Sequence, residues 1–233
     1  MRKVLAGFLI LTGMLATAAK PTALTFALPS ALSALEDRYR RAATLQATFL
    51  ERYYENGVQT RVESGTAYFL RPGKMRWEYQ EPEKSVFLVD GKYVWFYAPA
   101  DHTATRMPTR KSEDWRTPIA FLTTGMKLSR ICSEVVAAKD RKPSTAGNEV
   151  YRCTLRAAEN ERAVNEQSVL LEVSPRSELA RIVVPQEGGL QIEFEFKNWQ
   201  WNPNLAKTLF EFAPPPGTAI VNAVLPEAPG MRP

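Results

Sequence analysis

The stretch SVFLVDGKYVWFYA, residues 85–98, decides which fold this chain can adopt. Asp90-Gly91 is typical of a tight hairpin turn, so it predicts two antiparallel strands. A sheet with one face in water would alternate apolar and polar residues, yet 86–89 and 93–97 are apolar on both faces. Both faces of this hairpin therefore need cover, one by a helix and the other around a cavity. The predicted cross-strand pairs are Phe87 with Val94 and Ser85 with Phe96, with all four side chains on one face.

More strands are predicted on either side of this hairpin. Asn56-Gly57 marks a second hairpin between strands 46–54 and 60–70, with Gly65 at a bulge. A stretch of mixed charge and apolar residues, FLRPGKMRWEYQEP (69–82), carries the chain through a basic turn into the next strand. The other predicted strands are 75–79, 129–138, 149–157, 168–173, 180–185, 190–199, 209–212 and the short run 218–221.

Two helices are predicted. Leu32, Leu35 and Tyr39 recur at helical spacing, and Ser30 stands where an N-cap is expected. The second helix is short and apolar, TPIAFLTTG (117–125), with proline near its start and glycine at its end.

The fold class that follows is mainly β with helices. Because the elements do not alternate between strand and helix, a parallel sheet is not expected. About ten or eleven strands would form an incomplete antiparallel barrel, and the short helix would serve as its lid. We expect one domain over 28–225 and a loose Pro-rich tail over 226–233.

The N-terminus predicts export. Arg2 and Lys3 precede an apolar run over 4–15, and Ala16-Thr17-Ala18 offers a cleavage site, which together are typical of a secretory signal peptide. We expect residues 1–18 to be removed, or residues up to 27 if the second site is used. An uncleaved anchor is the alternative, although the run is short for a membrane span. Removing Arg2 and Lys3 lowers the formal charge from +5 to +3.

Two cysteines in an exported chain suggest one disulfide. A hairpin centred near Lys142 and Pro143 would place Cys132 opposite Cys153, within bridging reach. The alternative is two buried thiols. Two cysteines are too few to suggest a metal site, and we predict neither a metal nor a cofactor.

The sequence gives little indication that the protein is an enzyme. The chain has one histidine, His102, and none of the motifs of hydrolases, zinc proteases or nucleotide-binding folds. Glu193 and Glu195 alternate with apolar residues, which favours the solvent face of a strand over a catalytic carboxylate pair. We therefore predict that the protein is not an enzyme.

Nucleic-acid binding is a second alternative, because Arg71, Lys74 and Arg76 lie close to Trp77 and aromatic residues beside cations can stack on bases. Export argues against it, and so do the acidic residues that follow directly. A third alternative is a carrier of apolar ligands, with the aromatic residues around a lipid-sized cavity. Periodicity alone favours a filled core over such a cavity.

The order of several segments along the chain favours the carrier with a cavity over the filled core. QATFLERYYENG (46–57), SGTAYFLRPGKMRWEYQEPEKSVFLVDGKYVWFYAP (64–99), TPIAFL (117–122) and LFEFAPPPG (209–217) together resemble the periplasmic outer-membrane lipoprotein carriers, the LolA-like family. The match is closest over 46–99, and over 129–200 it is only a run of strands. The resemblance implies an incomplete barrel under a helical lid, with a cavity for the acyl chains of lipoproteins.

The resemblance also implies partners and roles. A periplasmic monomer of this kind takes acylated lipoproteins from an inner-membrane ABC transporter to an outer-membrane receptor. By resemblance, Arg71 latches the lid and Met75 affects docking to the transporter, although an aromatic residue is common at the latter position. Cavity and lid positions correspond to Trp77, Phe87, Phe49, Phe96, Ile119, Ala120 and Leu122. The alternative function is a lipid- or partner-sensing module that binds a regulatory protein on the same half-barrel.

Overall fold

The computed structural model describes residues 28–109, 126–156 and 168–223. The predicted signal peptide, the lid residues Ile119, Ala120 and Leu122, and the tail 226–233 lie outside these residues. Within the described ranges, no helix has both the length and the apolar character needed to cross a membrane.

The described residues form two helices and twelve strands. The helices are α1 (Ser30–Arg41) and the single turn α2 (Leu128–Ile131). The strands are β1 (Thr44–Glu55), β2 (Val58–Leu70), β3 (Lys74–Glu81), β4 (Ser85–Val89), β5 (Tyr93–Ala98), β6 (Thr103–Pro108), β7 (Cys132–Ala137), β8 (Glu149–Leu155), β9 (Ser168–Val173), β10 (Leu179–Pro185), β11 (Leu190–Trp201) and β12 (Ala219–Asn222).

All twelve strands belong to one open sheet in the order β12-β6-β5-β4-β3-β2-β1-β11-β10-β9-β8-β7. The pairs are antiparallel except β12 with β6, which is parallel. The mainly-β class is confirmed, and the described sheet has twelve strands where about ten or eleven were expected. The sequence did not predict β6, whose short segment is rich in polar residues. Residues 209–212 are not a strand, since the chain there passes through a 3-10 turn (Lys207–Phe210).

Helix α1 packs on the inner face of the sheet. Its side chains Leu32, Leu35 and Tyr39 are fully buried, as their spacing predicts. Burial of a leucine side chain stabilises the fold by about 1.5–3 kcal/mol. Ser30 is not the N-cap but the first helical residue. The cap position belongs to Pro29, which offers no side-chain hydrogen bond.

The hairpin at 85–98 is covered on both faces, as its sequence requires. Phe87, Val89 and Val94 belong to the inner core, whereas Leu88 and Trp95 lie in a separate outer cluster. The C-terminal segment crosses this outer face and places Phe210 in the same cluster, with the Phe212 ring centroid 4.7 Å from that of Trp95.

The predicted register of this hairpin is wrong by two residues. Phe87 pairs with Phe96 and Val89 pairs with Val94. The reason is that Asp90 Oδ1 accepts hydrogen bonds from the backbone N–H groups of Lys92 and Tyr93, both at 2.7 Å, which widens the turn. A shift of two residues preserves the face of every side chain, so the shared face was predicted correctly.

The other half of the outer face carries ion pairs instead of apolar cover. Arg52 donates to Glu193 at 2.9 Å and to Glu195 at 2.8 Å, and Arg181 donates to Glu172 at 2.8 Å and to Glu193 at 3.2 Å. Glu193 and Glu195 therefore lie on the outer face, as predicted, but their neighbours shield them from solvent.

The disulfide between Cys132 and Cys153 is confirmed, with a Cα–Cα distance of 5.5 Å. The two residues are not directly opposite each other. Cys132 pairs with Leu155 and Cys153 with Val135, because a bulge between Cys132 and Glu134 shifts the register. Both cysteines are buried in the inner core.

The predicted bulge at Gly65 is confirmed between β2 and β3 and generates a sharp prediction. A Cβ atom at this position would lie 1.9 Å from the backbone oxygen of Glu78 and 3.0 Å from Phe49 Cε1. We expect Gly65→Ala to lower the free energy of unfolding by about 3 kcal/mol or more, because backbone has to move. Urea denaturation measures this, with Ser64→Ala as the control. A loss below about 1 kcal/mol would show that the strands separate easily.

Glu172 generates a prediction about pH. Burial alone would raise the pKa of Glu172, but hydrogen bonds from Ser144 and Asn148 and the charge of Arg181 lower it below its ordinary 4.5. Because the folded-state pKa is depressed, its stabilising contribution is complete above the unfolded pKa and is lost as pH falls through the folded value.

We therefore expect Glu172→Gln to lower the free energy of unfolding by about 1–3 kcal/mol at pH 7, and this difference to shrink below about pH 4. Denaturation series at several pH values measure both effects. Glu134→Gln, an exposed change on β7, should be neutral throughout. A difference between wild type and Glu172→Gln that is constant with pH would contradict this explanation.

Candidate functional site

A cavity of about 530 Å³ opens on the inner face of the sheet. It is lined by both β5 and β10, which five other strands separate in the sheet order, so the sheet curves around it. The lining residues are Glu51, Tyr53, Arg61, Glu63, Trp77, Tyr79, Glu83, Lys84, Ser85, Phe87, Phe96, Ala98, Ala100, Asp101, Val184, Gln186, Ile192 and Phe194.

The cavity exists because α1 is too short to cover the strands it packs on. A helix of 12 residues is about 18 Å long, whereas a strand of 12 residues such as β1 is about 40 Å long. Tyr39 of α1 contacts Trp199 and Trp201 at the end of β11, which pairs with the start of β1. The opposite end of these strands is where the cavity lies.

Aromatic side chains form the floor of the cavity. Trp77 is 2% exposed and its ring centroid lies 4.5 Å from that of Phe49 and 5.6 Å from that of Phe194. Phe96 at the rim is 42% exposed, which is unusual for a residue of this size. The indole nitrogen of Trp77 is buried and has no hydrogen-bond partner within residues 28–109, 126–156 and 168–223.

One wall of the cavity is polar, which the sequence did not lead us to expect. We call Glu51, Tyr53, Glu63 and Tyr79 the carboxylate–tyrosine cluster. The Tyr53 hydroxyl donates to Glu51 at 2.6 Å, and its oxygen also lies 3.2 Å from Glu63 Oε2. The Tyr79 hydroxyl donates to Glu51 at 2.8 Å. Arg61 adds an ion pair to Glu63.

The tyrosines of this cluster act as hydrogen-bond donors. Burial and the neighbouring Glu51 raise the pKa of both Tyr53 and Tyr79 well above the ordinary value. Both hydroxyls therefore keep their protons at neutral pH. They hold the two glutamates in position at 3% and 9% exposure.

A signal for the buried glutamates was present in the sequence. Glu51 follows Leu45, Ala47 and Phe49 at a spacing of two, so strand alternation places it on the inner face. Glu63 stands in the same relation to Ala67 and Phe69 on β2. Such a position in a buried row needs hydrogen-bond partners, and the tyrosines supply them.

The predicted site residues fall into three places. Trp77, Phe87 and Phe96 line the cavity. Phe49 and Met75 are buried in the adjoining core, and Met75 is fully buried, so its role in docking stays a prediction. Arg71 lies at the other end of β3, beside α1.

The surroundings of Arg71 are unusual. Its Nε and Nη2 atoms are buried and have no hydrogen-bond partner among the described residues, and its Cζ lies 5.9 Å from the centre of the Tyr39 ring. Burial lowers the pKa of Arg71, while the neighbouring Tyr39 acts in the opposite direction. A guanidinium has five N–H donors, so this side chain can still bind an acceptor.

The described residues hold no group of three or more His, Cys, Asp or Glu side chains that could bind a metal. His102 stands in an exposed turn with a positive φ of 46°. Apolar floor, polar wall and open rim together suit the binding of an amphiphile better than a chemical reaction.

Comparison with known proteins agrees with this geometry. The sequence model of the family described as outer membrane lipoprotein carrier protein LolA matches residues 40–213, more than half of the chain. An outer-membrane lipoprotein carrier protein of Nitrosomonas europaea is 27% identical over 195 residues, which are 82% of this chain and 89% of that protein. A carrier protein of the same name from Nitrosospira multiformis is 26% identical over 196 residues, which are 82% of this chain and 88% of that protein.

A solved structure shows the same fold. It is an uncharacterized conserved protein from Thermus thermophilus, which aligns with a TM-score of 0.51 over 83% of this chain and 97% of its own. The two sequences are 14% identical, so this likeness concerns the fold alone.

Proposed function

This chain belongs to the family of the outer membrane lipoprotein carrier protein LolA, and on that premise we propose that it carries lipoproteins with their acyl chains in the inner cavity. The observation that supports this most directly is the cavity on the inner face of the sheet, whose floor is aromatic. Proteins of this family bind their cargo and are not enzymes, in agreement with the prediction from the sequence.

The volume of the cavity limits what it can hold. If a methylene group occupies roughly the 30 Å³ of a liquid water molecule, 530 Å³ accommodates about one chain of 16 to 18 carbons. Cargo with two or three chains would need the cavity to widen. Widening is easiest at the rim, where Phe96 is already exposed.

The energetics favour release rather than storage. Burying a chain of this length is worth about 0.8 kcal/mol per CH₂, whether the chain enters a protein or a bilayer. A half-open cavity cannot improve on a bilayer that surrounds the whole chain. Loading therefore needs a donor that does work, and unloading runs downhill into a membrane.

We place the carrier in the periplasm of a cell with two membranes. The export signal predicted at residues 1–18 would deliver it there. An inner-membrane ABC transporter would supply the cargo, and an outer-membrane receptor would accept it. Both relatives described above are named outer-membrane lipoprotein carrier proteins, which supports lipoproteins as the cargo proposed for this chain.

Arg71 keeps its predicted role as a latch in this proposal. Its unpartnered Nε and Nη2 atoms make the guanidinium available to an acceptor on a segment that covers the empty cavity. A contact made only in the empty, closed state would lower the free energy of that state and so favour release of cargo.

The rim residue Phe96 offers a direct test of the cavity. We expect Phe96→Gln to weaken the binding of a fluorescent fatty acid about tenfold, because a phenyl contact worth about 1.5–2 kcal/mol is lost. Ile220→Gln on β12 is the matched control, since Ile220 is 44% exposed and lies outside the cavity. A wild-type protein that binds no fatty acid would overturn the carrier function itself.

Arg71→Leu tests the latch separately. We expect its melting temperature to equal or exceed that of wild type, because two unpartnered buried donors disappear. Transfer of bound lipoprotein to membranes bearing the acceptor should be slower, while loading continues. Arg41→Leu, an exposed change at the end of α1, should leave transfer unchanged. Transfer by Arg71→Leu at the wild-type rate would exclude the latch but not the carrier.

A further inference from the structure

Positive charge is concentrated at the end of the sheet that lies away from the cavity. We call this surface the basic end and define it by three described segments, 37–41 at the end of α1, the β7–β8 loop 138–148 and the β9–β10 turn 174–178. These segments contain seven Lys and Arg side chains and three carboxylates, a formal net charge of +4. The helix dipole favours cations at the end of α1, but it gives no reason for those in the loop and the turn.

Contacts join the three segments into one surface. Arg38 of α1 donates to the backbone oxygen of Arg176 in the turn. A Cβ atom on Gly147 of the loop would lie 3.6 Å from Pro175, so the loop and the turn are adjacent. Arg41 is three residues from Arg38 and therefore lies beside it on the helix surface. The cations of the helix, the turn and the loop thus act on the same approaching surface.

The β7–β8 loop is fixed to the sheet beneath it. Glu172 of β9 is 1% exposed and accepts hydrogen bonds from the backbone N–H and the hydroxyl of Ser144 and from the side-chain amide of Asn148, at 2.7–2.8 Å. Lys139 and Lys142 therefore stand on an ordered loop, which reduces the conformational entropy that docking has to overcome.

More than half of these cations are not neutralised within the protein. Ion pairs with carboxylates occupy Arg38, Arg40 and Arg141. The four exposed cations that form no ion pair within the described part of the chain are Arg41, Lys139, Lys142 and Arg176. Their charge is available to an anionic partner.

The turns at the cavity mouth carry the opposite charge. Their exposed carboxylates are Glu55, Glu81, Glu83, Asp101 and Glu187, and Lys84 is the cation among them. Arg176 and Glu187 follow and precede the two ends of β10, whose seven residues span about 23 Å. This distance exceeds the Debye length of about 8 Å at physiological salt, so each end presents its own field to a partner.

The composition of the basic end favours a lipid surface over a protein partner. None of the exposed large apolar side chains of the described residues lies on its three segments. A specific protein interface is usually anchored by buried aromatic or apolar side chains. The head groups of a bilayer need only charge, because they diffuse laterally and adapt to the positions of the cations.

We propose that the basic end docks reversibly on bilayers that contain anionic phospholipids, with the cavity mouth directed away from the lipid. Four cations give a partition constant on the order of 10³ M⁻¹, so half of the protein is bound at about 1 mM accessible lipid. Docking of this strength lets the protein leave the membrane again. The acidic mouth is repelled by the same surface, so a chain in the cavity does not face the bilayer. The inference depends on surface charge and not on the cargo.

Cosedimentation with lipid vesicles tests the docking. The full mature protein is mixed with vesicles of phosphatidylcholine, or of phosphatidylcholine and phosphatidylglycerol in equal amounts, at about 0.15 M salt. We expect at least about tenfold tighter binding to the anionic vesicles, and loss of that binding at about 0.5 M salt. Equal binding to both kinds of vesicle, or binding that high salt leaves unchanged, would overturn the proposal.

Charge variants locate the docking surface. Lys139→Gln combined with Lys142→Gln should weaken binding to anionic vesicles at least about tenfold, since each cation contributes about fivefold. Lys84→Gln combined with Lys127→Gln is the matched control, because it removes the same charge from exposed positions outside the basic end. An equal loss in both double variants would show that net charge alone drives binding.

The orientation has a separate readout. Glu83→Gln combined with Glu187→Gln removes two negative charges from the mouth and should change vesicle affinity less than about twofold, because the mouth lies beyond the Debye length. A tenfold gain would show that the mouth faces the bilayer. Binding to heparin without binding to anionic vesicles would assign the basic end to another polyanion and overturn lipid docking. None of these outcomes bears on the fatty-acid test of the carrier function, so the two proposals fail independently.

Discussion

The structure depends on a mismatch of length. The twelve residues of α1 reach less than halfway along strands of the same residue count, because a helix rises about 1.5 Å per residue and a strand about 3.3 Å. Leu32, Leu35 and Tyr39 fill one end of the inner face, and the cavity with its aromatic floor lies at the other end, beyond the reach of α1. The hollow is thus a direct consequence of backbone geometry.

The outer face of the described sheet is covered in two ways. There the C-terminal segment places Phe210 over Leu88 and Trp95, and the remaining strands carry a ladder of ion pairs around Arg52 and Arg181. The C-terminal segment covers the apolar side chains of β4 and β5, and the ion pairs neutralise the charged side chains of β1 and β9–β11. The cavity, in contrast, opens on the inner face of the described sheet.

The carboxylate–tyrosine cluster makes one wall of this cavity polar. A chain that enters it meets aromatic side chains on the floor and two fixed glutamates on one wall. The two sides of the hollow therefore differ in polarity, with aromatic contacts on the floor and hydrogen-bonded glutamates on the wall.

Several features of this protein were determined by the sequence itself. The turns at Asn56-Gly57 and Asp90-Gly91, the bulge at Gly65 and the apolar spacing of α1 are local signals, and each produced the expected element. The two-sided apolar hairpin required cover on both faces, and the order of motifs over 46–99 indicated the family.

Other features were decided only by the tertiary structure. The register of 85–98 depended on how Asp90 uses its carboxylate, and the outer cover came from 205–212, a segment far away in sequence. The carboxylate–tyrosine cluster forms only when β1, β2 and β3 pair in the observed register, because its four residues come from all three strands. The alternation of apolar and polar residues along a strand predicts which face each side chain takes. Which side chains meet on that face depends on the pairing of strands that are distant in sequence, and the alternation does not determine that pairing.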